Sequence, residues 1–87
     1  MPYVKQEKRD EIDPYIDNLV ACLKVAGEAN YAITRIIDKM YGHTGYSLMN
    51  EGIGVLECAK LEFYRRRVAP YEDLKCVENG EVYLWKK

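Results

Sequence analysis

The sequence predicts an all-α protein: a small helical bundle of three main helices, followed by a short C-terminal helix and an extended tail. Two observations carry that expectation. Apolar residues recur every three or four positions along most of the 87-residue chain, which is the period of an amphipathic helix. The breaks between these stretches are short and carry glycine or proline, the strongest local punctuation. The chain has no internal repeat and no low-complexity segment, and its length fits one domain, residues 1–87.

Residues 1–10 are polar and read as an arm or a short leading helix. Asp13-Pro14 marks a helix start, since aspartate caps free backbone N–H groups and proline is tolerated at the first helical position. Ile12, Ile16, Leu19, Val20 and Leu23 follow as one apolar stripe, with Gly27 as the expected C-cap. The second helix is expected from about Glu28 to Tyr41. Its stripe is Ala29, Ile33, Ile36 and Met40, with Tyr31, Thr34, Arg35 and Asp38 roughly opposite.

A loop over residues 42–46 leads to a third helix, capped by Ser47 or Asn50 and running to about Val68, where Pro70 interrupts it. Ile53, Val55, Leu56, Cys58, Ala59, Leu61, Phe63, Tyr64 and Val68 surround this helix on all sides. A helix of that kind is central to its fold or is covered by another chain. In so short a protein the pattern points to a helix shared between the monomer and an oligomer interface, where Gly52 and Gly54 permit close backbone approach. A frayed first turn explains the two glycines equally well.

Beyond Pro70, Tyr71 to Val77 form a short helix ended by Asn79-Gly80, with residues 80–87 as a tail. A hairpin is the competing reading, because Cys76-Val77-Glu78 and Glu81-Val82-Tyr83 flank an Asn-Gly pair. Leu84 and Trp85 are expected to pack, either on this chain or on a neighbouring subunit.

Composition excludes several functions. Thirteen Lys and Arg against fourteen Asp and Glu give a formal charge of -1, which argues against a nucleic-acid binder held by excess positive charge. No run of about 18 apolar residues occurs and the first residues lack a signal peptide's apolar stretch, so a soluble, cytoplasmic protein without membrane contact is expected. Cys22, Cys58 and Cys76 are too widely spaced for a Cys-x-x-Cys pair and are expected to be reduced and mostly buried. His43 is the only histidine and Ser47 the only serine. A Ser-His-Asp triad and most histidine zinc sites therefore need a second chain. No catalytic residue, metal or cofactor is expected.

The remaining inventory suits binding. Eight tyrosines accompany one Phe and one Trp, and tyrosine offers a flat ring with a polar tip for stacking or for a wet interface. Tyr31 and Arg35 lie one helical turn apart, and Tyr64 adjoins Arg65. Such pairs can stack a base and clamp a phosphate, to which arginine is well matched. The run Arg65-Arg66-Arg67 cannot form one patch, because successive helical residues diverge by about 100°. Glu62 is placed to pair with Arg65 or Arg66. Equally, these tyrosines can simply cover a small core with their hydroxyls in water. Glu57, Lys60 and Glu62 read as a solvated charge ladder, and Glu72 and Asp73 as favourable charges in a first helical turn.

The segments Gly27-Glu28-Ala29-Asn30-Tyr31-Ala32-Ile33-Thr34-Arg35, Ile53 through Arg66, Val68-Ala69-Pro70-Tyr71-Glu72-Asp73 and Glu78 through Tyr83 resemble the signature of a family of small prokaryotic and phage proteins defined only as a domain of unknown function. The resemblance spans nearly the whole chain and brings no catalytic residue with it. By analogy with small phage proteins in general, it implies a protein that acts by binding.

The leading expectation is a non-enzymatic homo-oligomer acting as a phage-type sponge for an anionic, nucleotide-derived signalling molecule. Asn30, Tyr31 and Arg35 would form one wall, and Tyr64, Arg65 and Tyr71 would supply stacking and phosphate contacts. The alternative is a protein-interaction module that binds and blocks a host protein. Less favoured readings are a sequence-tolerant nucleic-acid binder and an enzyme using Cys58 or Glu57.

Overall fold

A computed structural model describes residues 3–43 and 45–83. Those residues form α1 (Gln6–Cys22), α2 (Ala26–Tyr41), α3 (Gly45–Phe63), a π-helical turn over Tyr64–Val68, and α4 (Ala69–Asn79). No strand occurs among them, so the all-α class holds and the helical reading of residues 76–79 prevails over the hairpin. Leu84 and Trp85 lie outside the described residues. The chain divides into two compact units, Met1–Gly52 and Ile53–Lys87.

In the first unit, α1 starts seven residues before the expected Asp13-Pro14 and contains Pro14 in its interior. The leading residues are good helix formers, and they support one another locally. Gln6 Nε2 donates to Asp10 Oδ1 at 2.7 Å, Lys8 pairs with Glu11 at 3.0 Å, and Arg9 Nε donates to the Val4 carbonyl at 2.7 Å. These contacts support the turns ahead of Pro14, and the helix runs on through it. The C-terminal expectation shifts as well: α1 ends at Cys22 and Gly27 sits in the first turn of α2. The Glu28 carboxylate sets this break by accepting from the backbone N–H of Lys24 at 2.6 Å and of Val25 at 3.4 Å. Its negative charge also suits a helix N-terminus.

Ala32 and Gly52 are the buried residues, with Leu23, Ala29, Ile37, Tyr41 and Leu48 half-buried. Gly52 is small for a reason. A Cβ there would stand 3.0 Å from Tyr41 Cβ and 3.2 Å from its Cγ, whereas a Cβ on Gly54 would meet nothing. Close approach is therefore real at Gly52, toward α2 of the same chain. The expected stripe on α2 is only partly covered: Ile33, Ile36 and Met40 remain 49%, 46% and 59% exposed.

α3 begins at Gly45, ahead of Ser47 and Asn50, with Gly45 in the left-handed region at φ 70°. Pro70 does not end the helix that precedes it. Proline lacks an N–H, and its ring crowds the carbonyl four residues back, here that of Arg66. The backbone absorbs this by widening: the N–H of Ala69 bonds to the Tyr64 carbonyl, five residues back, and α4 continues directly. Helix α4 ends where the Gly80 N–H donates to the Cys76 carbonyl at 2.8 Å. Gly80 then adopts φ 95° and ψ 160°, a combination reserved almost wholly for glycine.

The cysteines correct one expectation. All three are free, but Cys22 and Cys58 are exposed and Cys76 is half-buried, because the units enclose too little interior to hide them. No helix among the described residues is long and apolar enough to cross a membrane.

Candidate functional site

The six residues singled out from sequence fall in different places. Asn30, Tyr31 and Arg35 belong to α2. The Asn30 carbonyl accepts from Thr34 Oγ1 at 2.8 Å, an ordinary contact within a helix. Tyr31 is 67% exposed. Neither Tyr31 nor Arg35 makes a hydrogen bond or ion pair with a described residue. Spacing thus places an aromatic ring and a guanidinium one turn apart on an open helical face.

Tyr64, Arg65 and Tyr71 belong to the second unit and have separate employment. Arg65 Nη2 bonds to Glu62 Oε1 at 3.1 Å, and Arg66 Nε lies 3.9 Å from the other oxygen of the same carboxylate. Glu62 is the partner that sequence spacing indicated. The expected charge ladder is also present, with Lys60 3.1 Å from Glu57. Tyr71 lies beneath Lys75, whose ammonium is 5.5 Å from the ring centroid. Lys75 also pairs with Glu78 at 3.2 Å.

Tyr64 alone of the three lines a cavity, a space of about 450 Å³ walled by the π turn, α4 and residues 80–83. Its hydroxyl donates to Glu72 Oε1 at 2.7 Å. In an unbroken α-helix, eight residues would place these side chains about 80° apart. The residue taken up by the wide turn reduces the effective spacing to seven, about two whole turns, and both side chains come onto one face. Past Gly80, Glu81 Oε1 accepts the backbone N–H groups of Val82 at 2.9 Å and Tyr83 at 3.4 Å, a local turn of the tail beside the cavity.

The electrostatics of this cavity are those of carboxylates. The hydrogen bond and charge of Glu72 raise the Tyr64 phenol above its usual 10.0, with partial burial, Tyr83 and Asp73 adding to the effect. Burial, then Glu81, Asp73 and Glu72, push the Cys76 thiol up from 9.0. No arginine lines the space, and Arg65 and Tyr71 are not among its walls. Among the described residues no group of His, Cys, Asp and Glu is arranged to hold a metal ion.

Glu72, Glu81 and Tyr83 are cavity residues that spacing did not single out. The available signal was Asn79-Gly80, which turns the acidic and aromatic tail back toward α4. The compensating wide turn leaves no mark in a regular periodicity.

A family model described as a domain of unknown function (DUF6899) matches residues 1–82. No curated protein and no solved structure matches the chain.

Proposed function

The chain belongs to that DUF6899 family, and from this premise we propose that it is a non-enzymatic binding protein acting through protein–protein contact, with a second copy of itself as the first occupant of its helical faces. One observation carries the reading. The stripe of α2 has the composition and period of a buried helix face, yet Ile33, Ile36 and Met40 stay about half exposed. On α1, Ile12, Ile16 and Leu19 share one face and are exposed to a similar degree. Covering a half-exposed side chain of this size contributes about 1 kcal/mol, so the six positions offer roughly 6 kcal/mol of gross stabilisation to a partner. That is comparable to the whole stability of a small domain.

Native mass spectrometry of the full chain, wild type against Ile33→Glu/Ile36→Glu, tests the reading. A defined oligomer that dissociates in the double variant supports it. A wild-type chain that remains monomeric at micromolar concentration, or an oligomer indifferent to both charges, refutes it. Should the monomer capture a host protein through the same stripe, the occupant would be a heterologous partner, as in an inhibitor.

A second reading keeps the anionic, nucleotide-like ligand and rests on Tyr31 and Arg35, both open and unengaged. Arg65 belongs to the other unit and is held by Glu62. The same instrument decides: a stoichiometric nucleotide mass that disappears in Arg35→Ala supports the sponge, and uptake unchanged by that substitution removes these residues from it.

A further inference from the structure

We propose that the open cavity bordered by the π turn, α4 and residues 80–83 is a recognition site for an organic cation, an alkylammonium or guanidinium group. The proposal rests on shape and on the pairing of rings with charge, not on acidity alone. At about 450 Å³ the space falls in the range of small-molecule sites. Two tyrosines, Tyr64 and Tyr83, line it together with the apolar Val82. Aromatic faces attract cations through the ring quadrupole.

Glu72 and Glu81 supply the counter-charge, and each is already oriented through one oxygen. Glu72 Oε1 holds the Tyr64 hydroxyl, and Glu81 Oε1 holds backbone N–H groups. The second oxygen of each carboxylate has no such partner among the described residues and is available to an N–H donor. Preorganised carboxylates with an unused oxygen suit charge-assisted hydrogen bonds from an ammonium or a guanidinium.

The one cation in the wall, Lys75, does not occupy the role. Its ammonium is engaged by Glu78 at 3.2 Å and by the Tyr71 ring. The upward displacement of the Tyr64 phenol and the Cys76 thiol agrees with a negative potential across the space. An anion would meet two carboxylates there and no arginine. This site is therefore separate in chemistry from the Tyr31–Arg35 face, and its failure would leave the self-association of α1 and α2 untouched.

Calorimetric titration of the full chain with spermidine, agmatine and a short lysine- and arginine-bearing peptide tests the proposal, with ATP as the opposing probe. Saturable binding of spermidine or agmatine identifies a free amine or guanidine as the ligand class. Binding of the peptide alone identifies a partner's basic side chain; both outcomes support the site. Either response should weaken about tenfold or more in Glu81→Gln. Glu81 lies beyond the last helix, so the substitution leaves the helical signal in circular dichroism intact. A matching loss in Tyr83→Ala separates ring recognition from charge alone. No binding of any cation, binding unaffected by both substitutions, or a preference for ATP overturns the proposal.

Discussion

Replacing Gly52 by alanine and, separately, Gly54 by alanine adds the same methyl group to the same helix two residues apart. Each change gains about 1 kcal/mol from the higher helix propensity of alanine. At Gly54 that gain stands alone, since a Cβ there meets nothing within 4 Å. At Gly52 the new Cβ lies 3.0, 3.2 and 3.3 Å from Cβ, Cγ and Cδ2 of Tyr41. The nearest of these belongs to the rigid root of the side chain, so rotation of the ring cannot relieve it. Overpacking of this kind costs about 1–3 kcal/mol. Propensity cancels between the two variants, and their difference isolates the packing cost. For a chain of this size it corresponds to at least about 4 °C in midpoint. Thermal unfolding followed at 222 nm, with urea titration as a check, should place Gly54→Ala above wild type and Gly52→Ala at or below it. Equal stabilisation in both variants would refute the contact between Gly52 and Tyr41. Destabilisation by Gly54→Ala would show that its open face is covered by a second chain.

Three further outcomes are expected. Pro14→Ala restores an N–H to the middle of α1 and should raise stability by up to about 3 kcal/mol; unchanged or reduced helicity in circular dichroism would contradict an α1 that runs through residue 14. Gly80→Ala should strain the turn by about 1–3 kcal/mol, loosening residues 81–83 and speeding alkylation of Cys76 in peptide-resolved mass spectrometry; an unaltered rate would mean that the tail does not shield that thiol. The Tyr64 phenol is raised in the folded state, so its hydrogen bond to Glu72 contributes fully below pH 10 and is lost as pH climbs through the raised value. Ultraviolet titration should therefore show one of the eight tyrosines ionising late, and Tyr64→Phe should remove that step and flatten the alkaline loss of stability; a titration identical in both proteins would sink the assignment.

Periodicity was sufficient to read the helices, because the stripes on α1 and α2 and the ion pairs of Glu62 depend on neighbours within one or two turns. Boundaries obeyed subtler terms. Asp13-Pro14 has the form of a helix start, yet α1 begins at Gln6, where the Gln6–Asp10 and Lys8–Glu11 contacts support its first turns, and runs on through residue 14. Gly27 has the form of a stop, yet the Glu28 carboxylate begins α2 before it. Of the candidate binding residues, Tyr31 and Arg35 lie one turn apart on α2, as their spacing requires, and both are exposed. Arg65 was legible only as one of two things, and Glu62 holds it in the more ordinary one. The cavity was not legible, because Tyr64 reaches Glu72 through a turn of non-standard width that no fixed period anticipates.

That wide turn also sets a phase. Every side chain of α4 is displaced by about one residue, some 100°, from where the helical screw of α3 would have carried it. The three consecutive arginines within the turn are then a spacer as much as a source of charge. Shortening the run by one would return the backbone to an even screw and swing Glu72 away from Tyr64, while leaving every cavity-lining residue in the sequence. Length at this point is a structural parameter in its own right, and substitutions here should be tolerated where a single deletion is not.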